Sequence, residues 1–272
     1  MPASPDYPEL NSARADWRYQ PQPDCLDGKV ILVTGAGDGI GSTAARTFAC
    51  YGASVILLGR TRSKLEAVSD WITTNTATEP VIVPSDLLSL GEENANALAD
   101  ATMDAFGRLD GLLHNASLLG PKVPISHYPA AEWQRVFTVN THAVFLLTRA
   151  LLPLLERSAS ASVVMTSSSV GRAGRAYWGA YAVSKFAIEG LTQVLADEYE
   201  HAGKIRVNSL NPGGTRTSMR RAAYPMEDPA AVPVPETHMD LYLYLMSQLS
   251  HGVTGKQFDA REWAGPEATE RQ

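Results

Sequence analysis

The residues best suited to chemistry lie in one stretch, where Tyr181 is followed four positions later by Lys185 and Ser168 precedes both. On a helix, residues at positions i and i+4 share a face, so we expect the Lys185 ammonium near the Tyr181 phenol. A neighbouring cation favours the phenolate and lowers the pKa of a tyrosine from its usual value of about 10. Tyr181 is therefore a candidate general acid/base. The alternative is an ordinary surface pair, because such pairs are common on amphipathic helices.

A glycine-rich turn precedes this stretch and would position a nucleotide beside it. The apolar strand predicted over 29–34 is followed by Gly-Ala-Gly-Asp-Gly-Ile-Gly at 35–41, which opens a predicted helix. Glycines at such a turn allow a pyrophosphate to approach the amides at the helix N-terminus. A plain strand-to-helix turn is the alternative, but the flanking strand and helix signals favour a dinucleotide site. The predicted cofactor contacts in this turn are Gly35, Asp38, Gly39, Ile40 and Gly41.

Arg60 indicates which dinucleotide binds. It follows the second predicted strand, where a carboxylate is expected if the ligand is the ribose 2′-hydroxyl of NAD. A guanidinium can instead contact a 2′-phosphate, so we predict NADP(H) in preference to NAD(H). There are two arguments against this prediction. Arg60 could be a solvent-exposed residue at the end of the strand that binds no ligand, and Asp38 adds negative charge nearby.

The remaining elements alternate strand and helix, which predicts an α/β fold with a single Rossmann-type doubly wound parallel sheet of about seven strands and helices on both faces. The carboxyl ends of parallel strands meet at one edge, and polar or glycine residues follow several of them. Asp86 could accept from an adenine amino group or cap the next helix. Asn140 interrupts a long predicted helix over 132–155, and its amide could also be satisfied by packing alone. Further predicted cofactor contacts at strand ends are Asp86, Leu87, Asn115, Ala116, Pro212, Gly213, Thr215 and Thr217.

Domain organisation is predicted from composition. Proline-rich residues 1–25 read as an irregular N-terminal arm and not a secretory signal, residues 26–260 as one catalytic domain, and residues 261–272 as a polar tail. The segment 218–236 contains four prolines and little periodicity, so we expect a flap over the site that selects the substrate. The apolar segment 143–155 is shorter than the roughly 20 residues that span a bilayer.

Bulk composition limits the partners. The chain has 272 residues, a net charge of −6 and no basic run, so we expect a small-molecule substrate and neither nucleic acid nor membrane. Two cysteines without metal or disulfide spacing predict no metal site and a cytoplasmic location. Scattered histidines disfavour a metal hydrolase.

Taken together, these motifs resemble the short-chain dehydrogenase/reductase family over about residues 26–259, and within it the bacterial YciK-like branch. The resemblance rests on five motifs: Thr34-Gly-x-x-x-Gly-Ile-Gly41, Asp86-Leu87, Asn115-Ala116, a serine thirteen residues before Tyr-x-x-x-Lys, and Pro212-Gly213. It implies hydride transfer between a nicotinamide cofactor and a carbonyl or secondary alcohol substrate. It also implies a homodimer or homotetramer assembled through the helices that hold Asn140 and Tyr181.

The same resemblance assigns roles to four residues. Tyr181 would be the general acid/base, Lys185 would bind the nicotinamide ribose and lower the Tyr181 pKa, Ser168 would hydrogen-bond the substrate oxygen, and Asn140 would help hold a relay water. The chain departs from the family pattern at His114 and Ser117, where a second Asn and a Gly are frequent. The rival hypothesis is a dinucleotide-binding sensor or scaffold, which has no need of the four residues together. Arg172 and Arg175 could meet an acidic substrate or only water.

Overall fold

One seven-stranded parallel sheet organises the molecule, in a computed structural model that describes residues 7–269. The strands are β1 (Val30–Thr34), β2 (Ser54–Gly59), β3 (Val81–Pro84), β4 (Gly111–His114), β5 (Ala161–Thr166), β6 (Ile205–Asn211) and β7 (Gln257–Asp259). They lie in the order β3-β2-β1-β4-β5-β6-β7, with every neighbouring pair parallel. The direction of winding reverses between β1 and β4, which opens a crevice at their carboxyl ends. The predicted fold class is confirmed.

Helices cover both faces of the sheet. They are α1 (Pro8–Ala13), α2 (Gly39–Cys50), α3 (Arg62–Asn75), α4 (Glu92–Phe106), α5 (Ala130–Phe137), α6 (Ala143–Leu155), α7 (Gly179–Glu200), α8 (Ser218–Ala223), α9 (Met239–Met246) and α10 (Pro266–Thr269). Successive β1 residues alternate between two cores: Ile31 and Val33 pack with α2, α3 and α9, whereas Val30 and Leu32 pack with α4, α6 and α7. This alternation explains why the strand reads as apolar on both faces.

The N-terminal segment packs against the rest of the protein, and the prediction of an irregular arm is wrong at residues 8–16, which are helical, whereas residues 17–25 form no helix or strand. Helix α1 is followed by a 3-10 turn, and Tyr7 and Trp17 are buried in the first core. The Tyr7 hydroxyl donates to Glu236 Oε1 at 2.8 Å, and Trp17 Nε1 donates to the Glu236 carbonyl at 2.9 Å. Apolar side chains and hydrogen bonds to a partner far along the chain therefore order this proline-rich sequence. Residues 1–6 lie outside the described residues.

The C-terminal segment also differs from its prediction as a polar tail. Trp263 is buried and its ring lies 5.4 Å from that of Tyr244, so an aromatic contact anchors the segment to α9. Residues 270–272 lie outside the described residues. In the predicted flap, Ala223 and Val232 are buried, and its helix α8 begins at the carboxyl edge of the sheet.

The long helix predicted over 132–155 consists of α5, a π-helical turn at Thr138–His142 and α6. By length and composition the run Ala130–Leu155 could cross a membrane, so the argument that the apolar segment is too short does not hold. However, 56% of its most apolar window is buried inside the protein, where it packs against α4 and α7. Burial in the second core accounts for its apolar character.

Candidate active site

A cavity of about 460 Å³ opens at the carboxyl ends of the strands, where the sheet topology places the crevice. Most residues that the sequence predicts for the site line it: Gly35, Asp38, Gly39, Ile40, Arg60, Asp86, Leu87, Asn115, Ala116, Ser168, Tyr181, Lys185, Pro212, Gly213, Thr215 and Thr217. Two predicted residues, Gly41 and Asn140, do not line the cavity. The structure therefore brings strand ends that are far apart in sequence into one site.

The glycine-rich turn is held tightly against the loop after β4. Gly35 has a φ of 68°, a left-handed conformation that favours glycine. A Cβ on Gly41 would lie 2.2 Å from the Gly35 carbonyl oxygen and 2.6 Å from Asn115 Nδ2, so no side chain fits there. The Thr34 hydroxyl accepts from the amides of Asn115 and Ala116 at 2.9 and 3.1 Å. Gly41 thus allows the turn to pack against the loop after β4, although it does not line the cavity itself.

Three polar side chains define the end of the cavity beside β2. Lys64 Nζ lies 2.6 Å from Asp38 Oδ2, and this contact lowers the pKa of Asp38. The exposed Arg60 has no ion pair with any carboxylate of residues 7–269. The negative charge of Asp38 is therefore balanced by Lys64, whereas Arg60 has no charged partner among the described residues and its contact with a ligand stays a prediction.

Asp86 lies just after the end of the third strand, β3. Its Oδ1 accepts from the amide of Leu88 at 3.0 Å, and Asp86 lines the cavity. Helix α4 instead has Gly91 as its N-cap, so Asp86 does not cap it. The capping alternative is thus excluded, and contact with a ligand stays a prediction.

Tyr181 and Ser168 meet at the other end of the cavity. Tyr181 is only 8% exposed, and burial raises its pKa to about 12, although hydrogen bonding with Ser168 acts in the opposite direction. Lys185 Nζ lies 5.6 Å from the Tyr181 ring centroid. The predicted lowering of the Tyr181 pKa by Lys185 is wrong in this structure. Loss of solvation upon burial raises the pKa by more than the hydrogen bond with Ser168 lowers it.

The Lys185 ammonium is directed towards the end of β5. Its Nζ donates to the Thr166 carbonyl oxygen at 2.7 Å. Burial lowers the pKa of Lys185 to about 8, while the nearby Glu189 carboxylate partly opposes this effect. Lys185 is thus a buried amine that changes charge close to neutral pH.

Asn140 lies behind the cavity wall in the π-helical turn. Its Oδ1 accepts from the Leu118 amide at 2.7 Å, and its Nδ2 donates to the Leu118 carbonyl at 2.9 Å and to Ser184 Oγ at 3.0 Å. The side chain therefore fixes the loop after β4 against α7. This arrangement matches the packing alternative for its amide, and a relay role stays a prediction.

His114 and Arg172 also have structural partners. His114 is buried, with Nε2 2.9 Å from Thr148 Oγ1, and burial lowers its pKa to about 3, so the ring is neutral. Arg172 Nε donates to Glu189 Oε1 at 2.9 Å, and its Nη2 donates to the Phe258 carbonyl at 2.9 Å. Arg172 thus joins the loop after β5 to α7 and β7 and does not face a substrate.

Sequence reasoning missed the apolar wall of the cavity. This wall consists of Leu119, Trp178, Met219 and Ala223, which pack around Tyr181. These residues lie in loops and in α8, where no periodic pattern distinguishes a lining residue from a core residue. A tryptophan three positions before Tyr181 was the one local signal, because that spacing places it near the phenol.

The parallel sheet, the glycine-rich turn and the Ser168, Tyr181 and Lys185 group define a nicotinamide-dependent oxidoreductase fold, and comparison with known proteins agrees. The family model for short chain dehydrogenase matches residues 29–228. The chain belongs to the short-chain dehydrogenase family.

Three relatives are about half identical to this chain in sequence over most of its length. The chain is 53% identical over 248 residues to the uncharacterized oxidoreductase YciK of Escherichia coli K12, covering 91% of this chain and 98% of YciK. A short chain dehydrogenase from Shigella flexneri 2a, solved with NADP, is 52% identical with a TM-score of 0.86 over 88% of this chain and 100% of its own. One from E. coli CFT073, solved with NADPH, is 53% identical with a TM-score of 0.87 over 89% and 100%.

Proposed function

We propose that the protein catalyses reversible hydride transfer between NADP(H) and a carbonyl or secondary alcohol substrate, with Tyr181 as the general acid/base. The observation that carries the proposal is the convergence of Ser168, Tyr181 and Lys185 in the cavity that also contains the glycine-rich turn. A sensor or scaffold needs the turn but has no need of a buried phenol and amine beside it.

The residues present fit a nicotinamide dinucleotide. A Cβ on Gly35 would lie 3.0 Å from Ala116 Cα, and one on Gly39 would lie 3.1 Å from the Thr217 side chain. Side chains at these two positions would be crowded, so the turn presents only its backbone to a ligand. The buried hydroxyl oxygens of Ser117 and Ser167 have no hydrogen-bond partner within residues 7–269, and both residues line the cavity. Buried polar atoms without partners are rare in folded proteins, which suits hydroxyls that bind a ligand.

Support for NADP(H) over NAD(H) comes from Arg60, whose charge has no carboxylate partner among the described residues. A guanidinium at the end of β2 suits a 2′-phosphate. The related structures from Shigella and E. coli contain NADP and NADPH, in keeping with this preference.

The bound nicotinamide would supply or accept the hydride, and the chain would manage the proton. Because its pKa is raised to about 12, Tyr181 is protonated at neutral pH and can donate to the oxygen of a carbonyl group. Ser168 offers a second hydroxyl to that oxygen and stabilises developing negative charge. Lys185 uses one of its three donors on Thr166, which leaves two for a ribose hydroxyl.

Loss of turnover in Tyr181→Phe tests the role of the phenol. NADPH oxidation with a panel of carbonyl compounds should fall roughly 10²–10⁴-fold, since general acid catalysis contributes that much. Tyr177→Phe is the matched control, because Tyr177 is 58% exposed and lies outside the cavity lining. NADPH affinity should change little in both variants. Turnover near that of the unaltered protein in Tyr181→Phe would reject the assignment.

Cofactor preference is tested with Arg60→Ala. We expect the Kd for NADPH to rise about tenfold, as for loss of a charge-assisted contact of about 1.4 kcal/mol, and the Kd for NADH to stay the same. Arg62→Ala is the control, because Arg62 lies two residues away and pairs with Glu66 at 3.6 Å. Equal effects on both cofactors would contradict a 2′-phosphate contact.

A homo-oligomer is also proposed, with the predicted helices at its interface. Phe145 on α6 and Val183, Phe186 and Val194 on α7 are large apolar side chains with at least 43% of their surface exposed. Their burial against a second copy is expected to stabilise a dimer or tetramer. Light scattering of the purified protein tests this, and a monomer at micromolar concentration would refute it. The cytoplasmic location stays a prediction.

A further inference from the structure

We propose that Trp178 and two residues of α8, Met219 and Ala223, determine substrate specificity, and that the site takes an uncharged ketone with an apolar, ring-containing body. The inference rests on the proposed reduction at Tyr181 and specifies the substrate class for the same site. It also gives Arg175, whose role the sequence left open, a supporting contact in place of a substrate contact.

The cavity has an apolar lining beside Tyr181. Leu119 and Trp178 line it, and the Trp178 ring lies 5.8 Å from that of Tyr181 between centroids. Met219 and Ala223 lie four positions apart on α8, so they share a face, and both line the cavity and pack in the cluster that contains Tyr181. A substrate whose carbonyl oxygen meets the phenol therefore lays its body against apolar side chains. A ring in that body packs well against the Trp178 indole.

Helix α8 is fixed at both ends. At its start, the Thr217 hydroxyl accepts from the Arg220 amide at 3.1 Å. At its end, Lys122 Nζ donates to the Ala223 carbonyl oxygen at 2.8 Å. These contacts hold Met219 and Ala223 in place, so their side chains form a defined boundary for the substrate.

The cations near this wall are bound within the protein. Arg220 lines the cavity, but its Nε and Nη2 donate to the two carboxylate oxygens of Glu227, both at 2.6 Å. Arg175 Nη1 donates to the Tyr224 hydroxyl at 3.3 Å. Neither Arg175 nor Lys122, which holds α8, lines the cavity. An anionic group on the substrate would thus meet no unpaired cation of α8 or of these neighbours.

Two further cations of the lining suit the cofactor better than the substrate. Lys185 donates to the Thr166 carbonyl oxygen, and its other donors are those proposed for the ribose. Arg60 lies just after β2, where the 2′-phosphate is proposed. A carboxylate or phosphate on the substrate would therefore lose its hydration without gaining a counter-ion, which is unfavourable. An uncharged apolar body instead gains free energy on leaving water.

The first test compares methyl 4-acetylbenzoate with 4-acetylbenzoate, in which a carboxylate replaces the ester. With NADPH oxidation as the readout, we expect kcat/KM to be about tenfold higher for the ester, mainly through KM. Met219→Gln places an amide in the apolar wall and should reduce this ratio roughly threefold or more. Met226→Gln is the matched control, because Met226 is 97% exposed and outside the cavity lining, and it should keep the ratio.

The second test concerns size. Ala223→Leu adds bulk to the wall and should lower kcat/KM for the ester about tenfold, whereas kcat/KM for the small ketone butanone should change little. Turnover of butanone also reports that the variant is folded. Ala222→Leu makes the same change at an exposed neighbour outside the lining and should affect neither ketone. Equal losses for both ketones in Ala223→Leu would count against a role in specificity.

Equal or higher kcat/KM for the acid would mean that a substrate anion displaces Glu227 from Arg220, and it would overturn the proposal. An unchanged ratio in Met219→Gln would do the same. Calorimetric titration of both probes into the protein–NADP⁺ complex, in which the ketone cannot be reduced, separates failure of the site from failure of the reaction. If the ester binds more tightly than the acid and Met219→Gln diminishes the difference, but no NADPH is oxidised, then the specificity site stands and carbonyl reduction fails. Absence of binding by the ester counts against the site.

Discussion

Lys185 provides a sharp test of the site because burial brings its titration into the working range of pH. Its pKa is lowered to about 8, while that of Tyr181 is raised to about 12. Between pH 6 and 10, Lys185 is therefore the one member of this pair that changes charge. At pH 7 about nine-tenths of the amines carry a proton, and at pH 9 about one-tenth do.

We expect kcat/KM for NADPH, which reports ionisations of the free enzyme, to be level below pH 8 and to fall roughly tenfold per pH unit above it. The reason is that the neutral amine loses both its charge and a donor at the cofactor ribose. Lys185→Arg supplies the control, since a guanidinium stays charged throughout this range. Whatever its rate, this variant should lack the falling limb. A limb at the same pH in Lys185→Arg, or a level profile to pH 10 in the unaltered protein, would refute the reasoning.

The same titration predicts a change in stability. The folded protein loses the Lys185 proton near pH 8, whereas the unfolded chain keeps it until about pH 10.5, so the unfolded state binds more protons between these values. The free energy of unfolding of the unaltered protein should therefore rise by about 2 kcal/mol relative to Lys185→Met between pH 7.5 and 9.5. The raised pKa of Tyr181 acts with the opposite sign, but only above pH 10. Urea unfolding measures the difference, and parallel pH curves for the two proteins would contradict it.

Two substitutions test the supports of the site. Gly41→Ala should weaken NADPH binding at least tenfold and destabilise the fold by about 1–3 kcal/mol, because its Cβ would meet the Gly35 carbonyl at 2.2 Å. Gly190 is a helical glycine with open space around it, so Gly190→Ala should instead stabilise the fold slightly. Equal changes in the unfolding temperature of the two variants, measured by calorimetry, would contradict the turn geometry. Tyr7→Phe removes the 2.8 Å hydrogen bond to the buried Glu236 and should cost about 1–3 kcal/mol in urea unfolding; an unchanged value would show that the contact contributes nothing.

The sheet and the glycine-rich turn were predictable because their determinants are local. Five consecutive apolar or β-branched residues form β1, and a glycine-rich turn follows it directly in the sequence. The carboxyl-edge rule for parallel strands then brings Arg60, Asp86 and Asn115 to one cavity without knowledge of any contact.

Other features depend on partners that local patterns do not contain. Glu236, which accepts a hydrogen bond from Tyr7, lies 229 positions after it, so the composition of the N-terminal segment alone predicts an irregular arm. The predicted direction of the Tyr181 pKa shift was wrong for a related reason. Helical spacing places Lys185 on the correct face, but it shows neither the burial of the phenol nor the Thr166 carbonyl that accepts from the amine.

Residue type suggests a functional role, but the hydrogen-bond partners decide between a supporting role and a ligand-binding one. Both Nδ2 donors of Asn140 are used by Leu118 and Ser184, so its side chain retains acceptor capacity alone and cannot donate to a relay water. By contrast, within residues 7–269 the buried Ser167 hydroxyl has no hydrogen-bond partner and Arg60 has no ion pair with a carboxylate. Polar groups with complete sets of partners stabilise the fold, whereas incomplete sets in a cavity are left for a ligand to complete. On this basis the hydrogen bonds of Asn140 support a structural role, its relay role stays a prediction, and we propose that Ser167 and Arg60 contact the ligand.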